Sequence, residues 1–306
     1  MTPAPPDRMT TPAAPAATKI CAVMVVYNPD STLAQNIKAL LNEVARLIVV
    51  DNCSEPSMQS RIAELAAACN FEVIWNKENI GLAAGLNTGI RSALANEQYQ
   101  WIATFDQDSR VFPGFGAAML AAQAACPFRD KVALIAPHHV PSMKVGDETL
   151  LRDGLQFREI MVALQSGSLF SRSAFKDVGL FDEAFFIDYV DFEFCLRLRK
   201  HKFRLIEATG APIYHRVGIP TGHKFLGITC TVFNHSPLRR YYAARNRLRV
   251  YRRYALSDPR WIYHDIWSWF KEIVKLVLFE SNRWEKLAFA ARGVWEAIRG
   301  RGGAYS

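Results

Sequence analysis

Residues 20–52, ICAVMVVYNPDSTLAQNIKALLNEVARLIVVDN, indicate the fold class of this 306-residue chain. They begin and end with continuous apolar runs, 20–27 and 46–50, which predict strands that are buried on both faces. Between the two runs, a turn at 28–30 precedes the segment 33–41, whose apolar residues recur at helical spacing. The order strand, helix, strand predicts a parallel pair of strands with a crossover helix.

The same alternation continues to about residue 110. We expect further elements here, in the order helix 57–69, strand 71–75, helix 81–96 and strand 101–105. Continuous apolar strands alternating with amphipathic helices predict an open sheet, whose ligands bind at the carboxyl ends of the strands. Residues 20–110 are therefore expected to form a nucleotide-binding half.

The second half of the chain is more mixed. It predicts strands at 132–136, 160–170 and 203–208, a helix at 191–201, and three C-terminal helices at about 239–255, 262–280 and 282–298. Residues 1–18 are rich in Pro, Ala and Thr and are expected to be a disordered leader, without the apolar run of a secretory signal. The sequence contains no apolar stretch of about 18 residues, so we do not expect a transmembrane helix.

Positive charge is concentrated at the C-terminal end. The formal charge is +8, but residues 237–306 hold 15 basic and 6 acidic side chains, which gives this tail +9 and leaves −1 for the rest. Five of the seven tryptophans also lie there. This distribution indicates a near-neutral body with a basic, aromatic tail, unlike a uniformly basic nucleic-acid-binding protein. The six cysteines contain no Cys-x-x-Cys pair, which is typical of free thiols in a reducing cytosol.

Asp106-Gln107-Asp108 directly follows the fourth predicted strand. Residues i and i+2 of extended backbone point to the same side, so the two carboxylates converge. Such a pair repels unless a cation lies between them, and Mg²⁺ binds one or two carboxylates together with substrate phosphates. We therefore predict a metal site for a diphosphate, with exposed turn carboxylates as the structural alternative. His215, after a strand-like run, is a candidate third metal or phosphate ligand.

The other strand ends supply candidate nucleotide contacts. Asp51 closes the second strand, where a carboxylate can accept a hydrogen bond from a ribose hydroxyl or a base N–H. Tyr27 follows the first strand and could stack on a base. Asn79 and Gly81 begin a helix whose N–H groups could meet a ligand. Gly89 of the same helix is predicted to allow close packing of the helix. The spacing of the glycines does not match the Gly-x-Gly-x-x-Gly fingerprint of dinucleotide binding.

Residues 181–197, FDEAFFIDYVDFEFCLR, place five acids among aromatic side chains. Asp188, Asp191 and Glu193 are candidate general bases, because aromatic neighbours desolvate a carboxylate and raise its pKa. Asp191 and Glu193 also lie near the start of a predicted helix, where the dipole favours the anion. The direction of the pKa shift is therefore open, and helix capping is the structural alternative for Asp191.

These segments, in this order, resemble family two of the inverting glycosyltransferases over residues 20–255. The segments that carry the resemblance are Val25–Asn28, Val49–Asn52, Asn79–Gly81 with Asn87–Gly89, Phe105–Asp108, Gly179–Glu183, Asp191–Arg197 and His215. A finer resemblance, to bacterial rhamnosyltransferases that use dTDP-L-rhamnose, rests on Phe185–Asp191 and Tyr241–Asn246.

The resemblance implies an α/β fold of the GT-A type, a Rossmann-like mixed sheet flanked by helices. The chain has no internal repeat and no linker between its halves, so we expect one catalytic domain over 19–236, with an acceptor half at 111–236 and a helical extension at 237–306. The implied activity is transfer of L-rhamnose, with inversion, to a cell-surface polysaccharide such as O-antigen or to a lipid-linked glycan.

The resemblance also implies residue roles. Asp51 would bind the pyrimidine with Tyr27 near the base, Asp106 would lie near ribose or metal, and Asp108 and His215 would bind Mg²⁺ or Mn²⁺. Asp191 would deprotonate the acceptor hydroxyl. Many relatives have Glu where this chain has Val190, which leaves Asp188 and Glu193 as alternative bases.

Two interpretations of the tail are open. In the first, its tryptophans and arginines lie on an anionic membrane surface, at the inner face of the cell membrane, near a polyprenyl-diphosphate-linked acceptor. In the second, the tail packs on the catalytic domain or on a second copy of the chain, and an arginine such as Arg245 binds the acceptor diphosphate.

Two other functions compete with rhamnosyl transfer. A UDP-sugar donor would make the enzyme a galactofuranosyl-, glucosyl- or N-acetylglucosaminyltransferase. A non-catalytic nucleic-acid-binding protein would explain the arginines of the tail. It would not explain the carboxylates at strand ends, which repel phosphate unless a metal is bound.

Overall fold

The computed structural model describes residues 19–140, 156–215, 221–225 and 228–305; the expected leader at 1–18 lies outside these ranges. The first half alternates strands and helices as expected. Its elements are β1 (Ile20–Val26), α1 (Leu33–Leu41), β2 (Arg46–Asp51), α2 (Pro56–Cys69), β3 (Glu72–Trp75), α3 (Gly81–Leu94) and β4 (Trp101–Asp106).

The second half adds short strands and the C-terminal helices. Its elements are β5 (Ser109–Val111), α4 (Phe115–Ala125), β6 (Val132–Val140), β7 (Phe157–Glu159), β8 (Leu169–Ser171), α5 (Arg172–Val178), α6 (Val190–Lys200), β9 (Arg204–His215), β10 (Thr221–Phe225), β11 (Ile228–Val232), α7 (Pro237–Tyr254), α8 (Pro259–Phe279) and α9 (Arg283–Ile298).

Strands β1 to β9 form one mixed sheet in the order β3-β2-β1-β4-β8-β6-β9-β5, with β7 also paired to β9. The first four strands are parallel, whereas β8 runs antiparallel to both β4 and β6. Buried side chains on the two faces of the sheet form two separate hydrophobic clusters. The prediction of a mixed α/β sheet flanked by helices is therefore confirmed.

The strand register brings distant acids to one edge of the sheet. Val26 at the end of β1 is paired with Asp51 of β2, and Val25 is paired with Asp106 of β4. Because the three strands are parallel, their carboxyl ends lie side by side. The two carboxylates therefore flank the end of β1, although 55 positions separate them in the sequence.

The predicted strand at 160–170 is wrong over most of its length. Only 169–171 form a strand there, because the preceding residues bond to β4 through a turn. Thr104 accepts a hydrogen bond from the Gly167 N–H (2.7 Å), and its own hydroxyl donates to the Gln165 carbonyl (2.7 Å). Gly167 has φ +81°, a conformation that favours glycine. An apolar sequence could not reveal that this segment turns toward the carboxyl edge of the sheet.

Helix α3 packs closely on the sheet at Gly89. A Cβ atom on this residue would lie 2.3 Å from Cγ1 of Val23 and 3.0 Å from Cγ2 of Val50. Both valines are buried in the sheet and β-branched, so neither side chain can move aside easily. The interpretation of this glycine as a packing residue agrees with the structure.

We therefore expect Gly89→Ala to lower the free energy of unfolding by about 2 kcal/mol, because overpacking outweighs the higher helix propensity of alanine. Urea denaturation of the two proteins measures the difference. Gly210→Ala is the matched control, because a Cβ there meets no heavy atom within 4 Å. Equal stability of wild type and Gly89→Ala would contradict the close packing.

The C-terminal helices share the core of the catalytic part. Val250 and Tyr254 of α7, with Trp261 and Ile262 of α8, belong to the buried cluster that also contains residues of β1, β2, α3 and α6. Within the described ranges, no helix combines the length and the hydrophobicity needed to cross a bilayer. The tail is thus packed onto the body of the protein.

Candidate functional site

A cleft of about 1230 Å³ opens at the carboxyl edge of the sheet. One side consists of the ends of β1 and β4 and the start of α3, and the other consists of the segment 186–192 with residues of α7 and α8. The residues from the sequence analysis that line it are Tyr27, Asn79, Gly81, Asp106, Asp108, Asp188, Asp191 and His215. A cleft of this size exceeds the usual volume for one small ligand, so it has room for two substrates.

Three side chains in the cleft could hold a metal ion. One ligand atom from each of Asp106, Asp108 and His215 lies within 4.8 Å of the other two. His215 Nδ1 is 3.4 Å from Asp108 Oδ1, and His215 Nε2 is 3.8 Å from Asp106 Oδ2. Two carboxylates and one imidazole form a donor set that suits Mn²⁺, and Mg²⁺ also accepts carboxylates.

The electrostatics of this group fit a cation. Burial raises the pKa of Asp106, His215 lowers it, and the neighbouring Asp108 raises it. A half-buried carboxylate next to another acid is stabilised as the anion by the positive charge that a divalent ion supplies. The residues present therefore fit the divalent metal that the resemblance implied.

Neighbouring side chains hold two of the candidate ligands, His215 and Asp106, in place. Ser109, in the strand paired with β9, has its hydroxyl 2.7 Å from His215 Nδ1 and 2.6 Å from the Ser166 hydroxyl. The Gln165 amide donates to Asp106 Oδ1 (2.5 Å), and the Asp106 N–H donates to the Ser166 hydroxyl (2.9 Å). Such outer contacts orient metal ligands.

The nucleotide candidates lie beside the metal candidates. Tyr27 is 48% exposed at the mouth of the cleft, and its N–H donates to Gln107 Oε1 (2.8 Å). Asp51 is fully buried; its Oδ2 accepts from the Ser54 N–H and the Gln59 amide, both at 3.0 Å. Its Oδ1 is buried without a hydrogen-bond partner in the described part of the chain. Asp51 itself does not line the cleft, and Oδ1 is the carboxylate atom that remains to accept a base N–H.

Asn79 and Gly81 shape the cleft and are already hydrogen-bonded. Asn79 Oδ1 accepts from the Gly81 N–H (3.0 Å) and from the Asn52 amide (2.9 Å). The next N–H in α3, from Leu82, donates to the Phe186 carbonyl (2.6 Å). The expectation that these N–H groups meet a ligand therefore needs correction, because the protein itself occupies them.

The three candidate bases have different surroundings. Asp188 pairs with Arg239 (2.5 Å), and Glu193 is 2% exposed, pairs with Arg197 (2.7 Å) and does not line the cleft. Asp191 lines the cleft and has no ion pair among the described residues; its Oδ1 accepts from the Phe192 N–H (2.9 Å).

Burial decides the pKa of Asp191. It raises the pKa of this carboxyl to about 7, the Phe192 N–H lowers it, and the Asp106 charge raises it further. The sequence left the direction of this shift open, because it showed a helix start but not the depth of the cleft. A pKa near neutrality suits a general base.

The backbone before Asp191 is strained. Phe186, Asp188 and Tyr189 have φ values of +60°, +63° and +65°, a region that costs a residue with a side chain about 1–3 kcal/mol. The Asn246 amide of α7 donates to the carbonyls of Phe185 (2.8 Å), Ile187 (2.8 Å) and Asp188 (2.9 Å). The tail thus supplies hydrogen bonds that maintain this conformation.

The expectation for Arg245 needs correction. Its side chain is fully buried and donates to the carbonyls of Gly303 (2.7 Å), Ala184 (3.2 Å) and Phe185 (3.2 Å), so it is not available to an acceptor diphosphate. The other arginines of α7 also bond within the protein, and they are Arg239, Arg240, Arg247, Arg249, Arg252 and Arg253. The sequence showed no acid near these arginines, because their partners come from distant segments.

The sequence pattern did not identify several of the residues that line the cleft. Gln165 and Ser166 lie in the segment that was predicted to be a strand, and Asn52 was quoted only as part of a motif. Asn52 lies directly after the end of β2, and this position could have identified it, since polar residues at strand ends face the cleft. Nothing in the sequence near Gln165 indicates its contact with Asp106.

Comparisons with known proteins agree with this geometry. The family model described as "Glycosyl transferase family 2" matches residues 21–179. Over 252 residues, the chain is 30% identical to the dTDP-rhamnosyl transferase RfbF of Shigella flexneri, covering 76% of this chain and 80% of that protein.

Two solved structures share the fold. The first is GalNAc-T7 with UDP, GalNAc and Mn²⁺, with a TM-score of 0.61 and 13% identity over 94% of this chain; the match spans only 57% of that longer chain. The second is residues 1–349 of S. aureus TarS, with a TM-score of 0.50 and 12% identity over 92% of this chain and 81% of that one. At these identities, the likeness concerns the fold alone.

Proposed function

The chain belongs to glycosyl transferase family 2 and is a glycosyltransferase, and from this premise we propose that it transfers L-rhamnose from dTDP-L-rhamnose to a hydroxyl group of a glycan. The observation that carries the choice of sugar is the similarity to a dTDP-rhamnosyl transferase along most of both chains. The cleft supports a nucleotide-sugar donor, because the candidate diphosphate site and the exposed Tyr27 ring both line it.

On this proposal, Asp108 and His215, with Asp106, hold Mg²⁺ or Mn²⁺. When bound, the metal supplies positive charge that stabilises the departing nucleotide diphosphate. Asp51 accepts a hydrogen bond from the pyrimidine through its unpartnered Oδ1, and the Tyr27 ring lies near the base. The segment 186–192 lines the same cleft, so Asp191 is within the site where the sugar would be transferred.

Asp191 is the proposed base. Its carboxylate accepts the proton of the acceptor hydroxyl, the acceptor oxygen bonds to the anomeric carbon, and the bond from that carbon to the diphosphate oxygen breaks. Attack on the face opposite the leaving group inverts the anomeric configuration. The choice over Asp188 and Glu193 is supported by their contacts, since the carboxylate of each is held in an ion pair with an arginine and Glu193 does not line the cleft.

The pH profile should reflect the raised pKa of Asp191. The base must be ionised, and burial raises its pKa to about 7, so the active form is lost as the pH falls through 7. We expect kcat/KM to fall about tenfold for each pH unit below this value and to be level above it. Initial rates between pH 5 and 9 measure the profile, and a flat profile down to pH 5 would contradict the assignment.

Donor binding tests the choice of sugar. In thermal-shift measurements, dTDP-L-rhamnose with Mn²⁺ should raise the melting temperature more than UDP-glucose, UDP-galactofuranose or UDP-N-acetylglucosamine. Transfer of rhamnose to an acceptor glycan would complete the test. A larger shift with a UDP-sugar would instead favour the alternative donor class.

We further propose that the enzyme works at a membrane surface on a lipid-linked acceptor. Exposed apolar side chains follow one another along one side of α8, and they are Tyr263, Ile266, Trp267, Phe270, Val274 and Leu278. Lys271 and Lys275 of the same helix line the cleft. An apolar helix face beside cationic side chains is typical of interfacial binding to anionic lipid.

Removing two aromatic anchors should weaken this binding. We expect the double variant Trp267→Ser, Phe270→Ser to bind vesicles with anionic lipid at least about 10²-fold more weakly, because each of the two aromatic side chains contributes about 1.5–3 kcal/mol when buried and about 1.4 kcal/mol is a factor of ten. Co-sedimentation measures the bound fraction. Leu256→Ser is the matched control, because Leu256 is fully exposed but lies between α7 and α8. Equal sedimentation of all three proteins would exclude α8 as the membrane contact.

A further inference from the structure

Asp265 of α8 connects the tail to the start of α6. Its carboxylate accepts hydrogen bonds from the Tyr189 hydroxyl (3.0 Å to each oxygen), from Arg247 Nε (2.9 Å) and from the Tyr251 hydroxyl (2.6 Å). We call these four residues the Asp265 network. Asp265, Tyr189 and Arg247 line the cleft, so the network forms part of its wall.

Tyr189 is the N-cap residue of α6, and Asp191 lies in the first turn of that helix. Tyr189 has a φ of +65°, which is unfavourable for a residue with a side chain, and its side chain makes no capping hydrogen bond to the helix. A conformation of this kind persists only where other contacts impose it. The hydrogen bond from its hydroxyl to Asp265 is one such contact, and it is made to a helix 76 residues away in the sequence.

Arg247 makes the network rigid. Its side chain is only 4% exposed, and its guanidinium carbon lies 5.1 Å from the Tyr189 ring centre and 5.2 Å from that of Trp269. It also bonds to Glu272, at 3.3 Å. A buried cation between two aromatic rings and two carboxylates has few alternative positions. Burial also raises the pKa of Tyr189 well above its usual range, so the phenol remains a donor at working pH.

We propose that Asp265 and Tyr189 are positioning residues, which hold the first turn of α6 so that the Asp191 carboxylate faces the acceptor hydroxyl. The inference rests on the proposed role of Asp191 as the base. It assigns the C-terminal helix α8 a part in the transfer step itself, separate from any contact with lipid. A displacement of a reacting group by about 1 Å can lower the rate about 10²-fold.

Tyr189→Phe is the most selective test, because it removes one hydroxyl and keeps the ring between Phe192 and Arg247. We expect kcat to fall about tenfold, while the KM for the donor and the thermal shift given by donor and Mn²⁺ stay within about twofold. Asp265→Asn, which also leaves Arg247 with less charge compensation, should lower kcat at least as much.

A double variant distinguishes positioning from general destabilisation. If Tyr189 acts by positioning Asp191, it should have little further effect once the Asp191 carboxylate has been removed. Adding Tyr189→Phe to Asp191→Asn should therefore change the residual rate by less than about twofold. Tyr251→Phe removes another donor from the same carboxylate without touching α6, and should lower kcat less than about threefold.

The outcomes separate this inference from the proposed function. Full activity of Asp191→Asn would refute the base assignment itself. Loss of activity in Asp191→Asn with wild-type kcat in Tyr189→Phe would overturn only the positioning role. An equal loss of kcat in Tyr251→Phe and Tyr189→Phe would also overturn it, because the network would then act only through the packing of α7 against α8.

Discussion

Asp191→Asn is expected to lower kcat about 10³-fold, because the amide cannot accept the proton of the acceptor hydroxyl. Donor affinity should change little, since the donor candidates are separate residues: Tyr27 directly follows β1, Asp51 ends β2, and Asp108 lies in the turn after β4. Transfer assays at saturating donor, with donor binding measured by thermal shift, separate the two effects. The pH dependence described above should disappear together with the activity.

Three carboxylate variants make the result specific. Asp188→Asn and Glu193→Gln test the alternative bases, and each should retain more activity than Asp191→Asn, because each wild-type carboxylate is paired with arginine. Asp182→Asn is the control outside the cleft, where the acid pairs with Arg253. A larger loss of kcat in Glu193→Gln than in Asp191→Asn would place the base on Glu193.

The Asp191→Asn substitution should also stabilise the folded protein at alkaline pH. The pKa of Asp191 is about 7 in the folded protein and 3.8 as its ordinary value, so the folded state binds the proton more tightly. Raising the pH from 4 through 7 therefore destabilises the wild type relative to Asp191→Asn, by on the order of 1–4 kcal/mol above pH 7. Melting curves at pH 4 and pH 8 should show the gap only at the higher pH.

Asp108→Asn is expected to have the second large effect, a loss of kcat/KM of about 10²-fold or more, because it removes a charged ligand from the proposed metal site. The thermal shift given by dTDP-L-rhamnose should no longer depend on Mn²⁺. Chelation of the wild type should abolish transfer, and added Mn²⁺ or Mg²⁺ should restore it.

Asp130→Asn is the matched control for this charge change, because Asp130 is an exposed carboxylate in the turn before β6. It should retain both transfer and the Mn²⁺-dependent shift. Full activity of the wild type in excess chelator, or of Asp108→Asn without metal, would show that Asp106, Asp108 and His215 do not serve a metal-dependent reaction.

Much of the site could be predicted where it depends on local pattern. Asp51, Asp106 and Asp108 follow apolar strands, and the ends of parallel strands share one edge of a sheet, so pattern and topology together predicted their proximity. His215 was a weaker candidate, because its place depends on the pairing of β9 with β5. Gln165 was not predicted, because its segment has the apolar composition of a strand.

The basic tail shows where a pattern misleads. Seven arginines without a nearby acid indicated an exposed cationic face, and charge was the only signal available. In the folded protein, four pair with acids from other segments and the remainder donate to backbone carbonyls. The phosphate role of Arg245 was therefore wrong, because ion pairs between distant segments are invisible in a linear sequence.

The amino-acid sequence alone determined the order of strands and helices, the carboxylates at strand ends and the family, because these depend on hydrophobic periodicity and on short motifs. Only the tertiary structure decided which acid lines the cleft without an ion pair among the described residues, in which direction its pKa is shifted, and how the strained segment before α6 is held. Burial and ion pairing depend on contacts between residues that are far apart in the chain, and the pKa of Asp191 is raised by its burial and by the charge of Asp106, which lies 85 positions earlier at the end of β4.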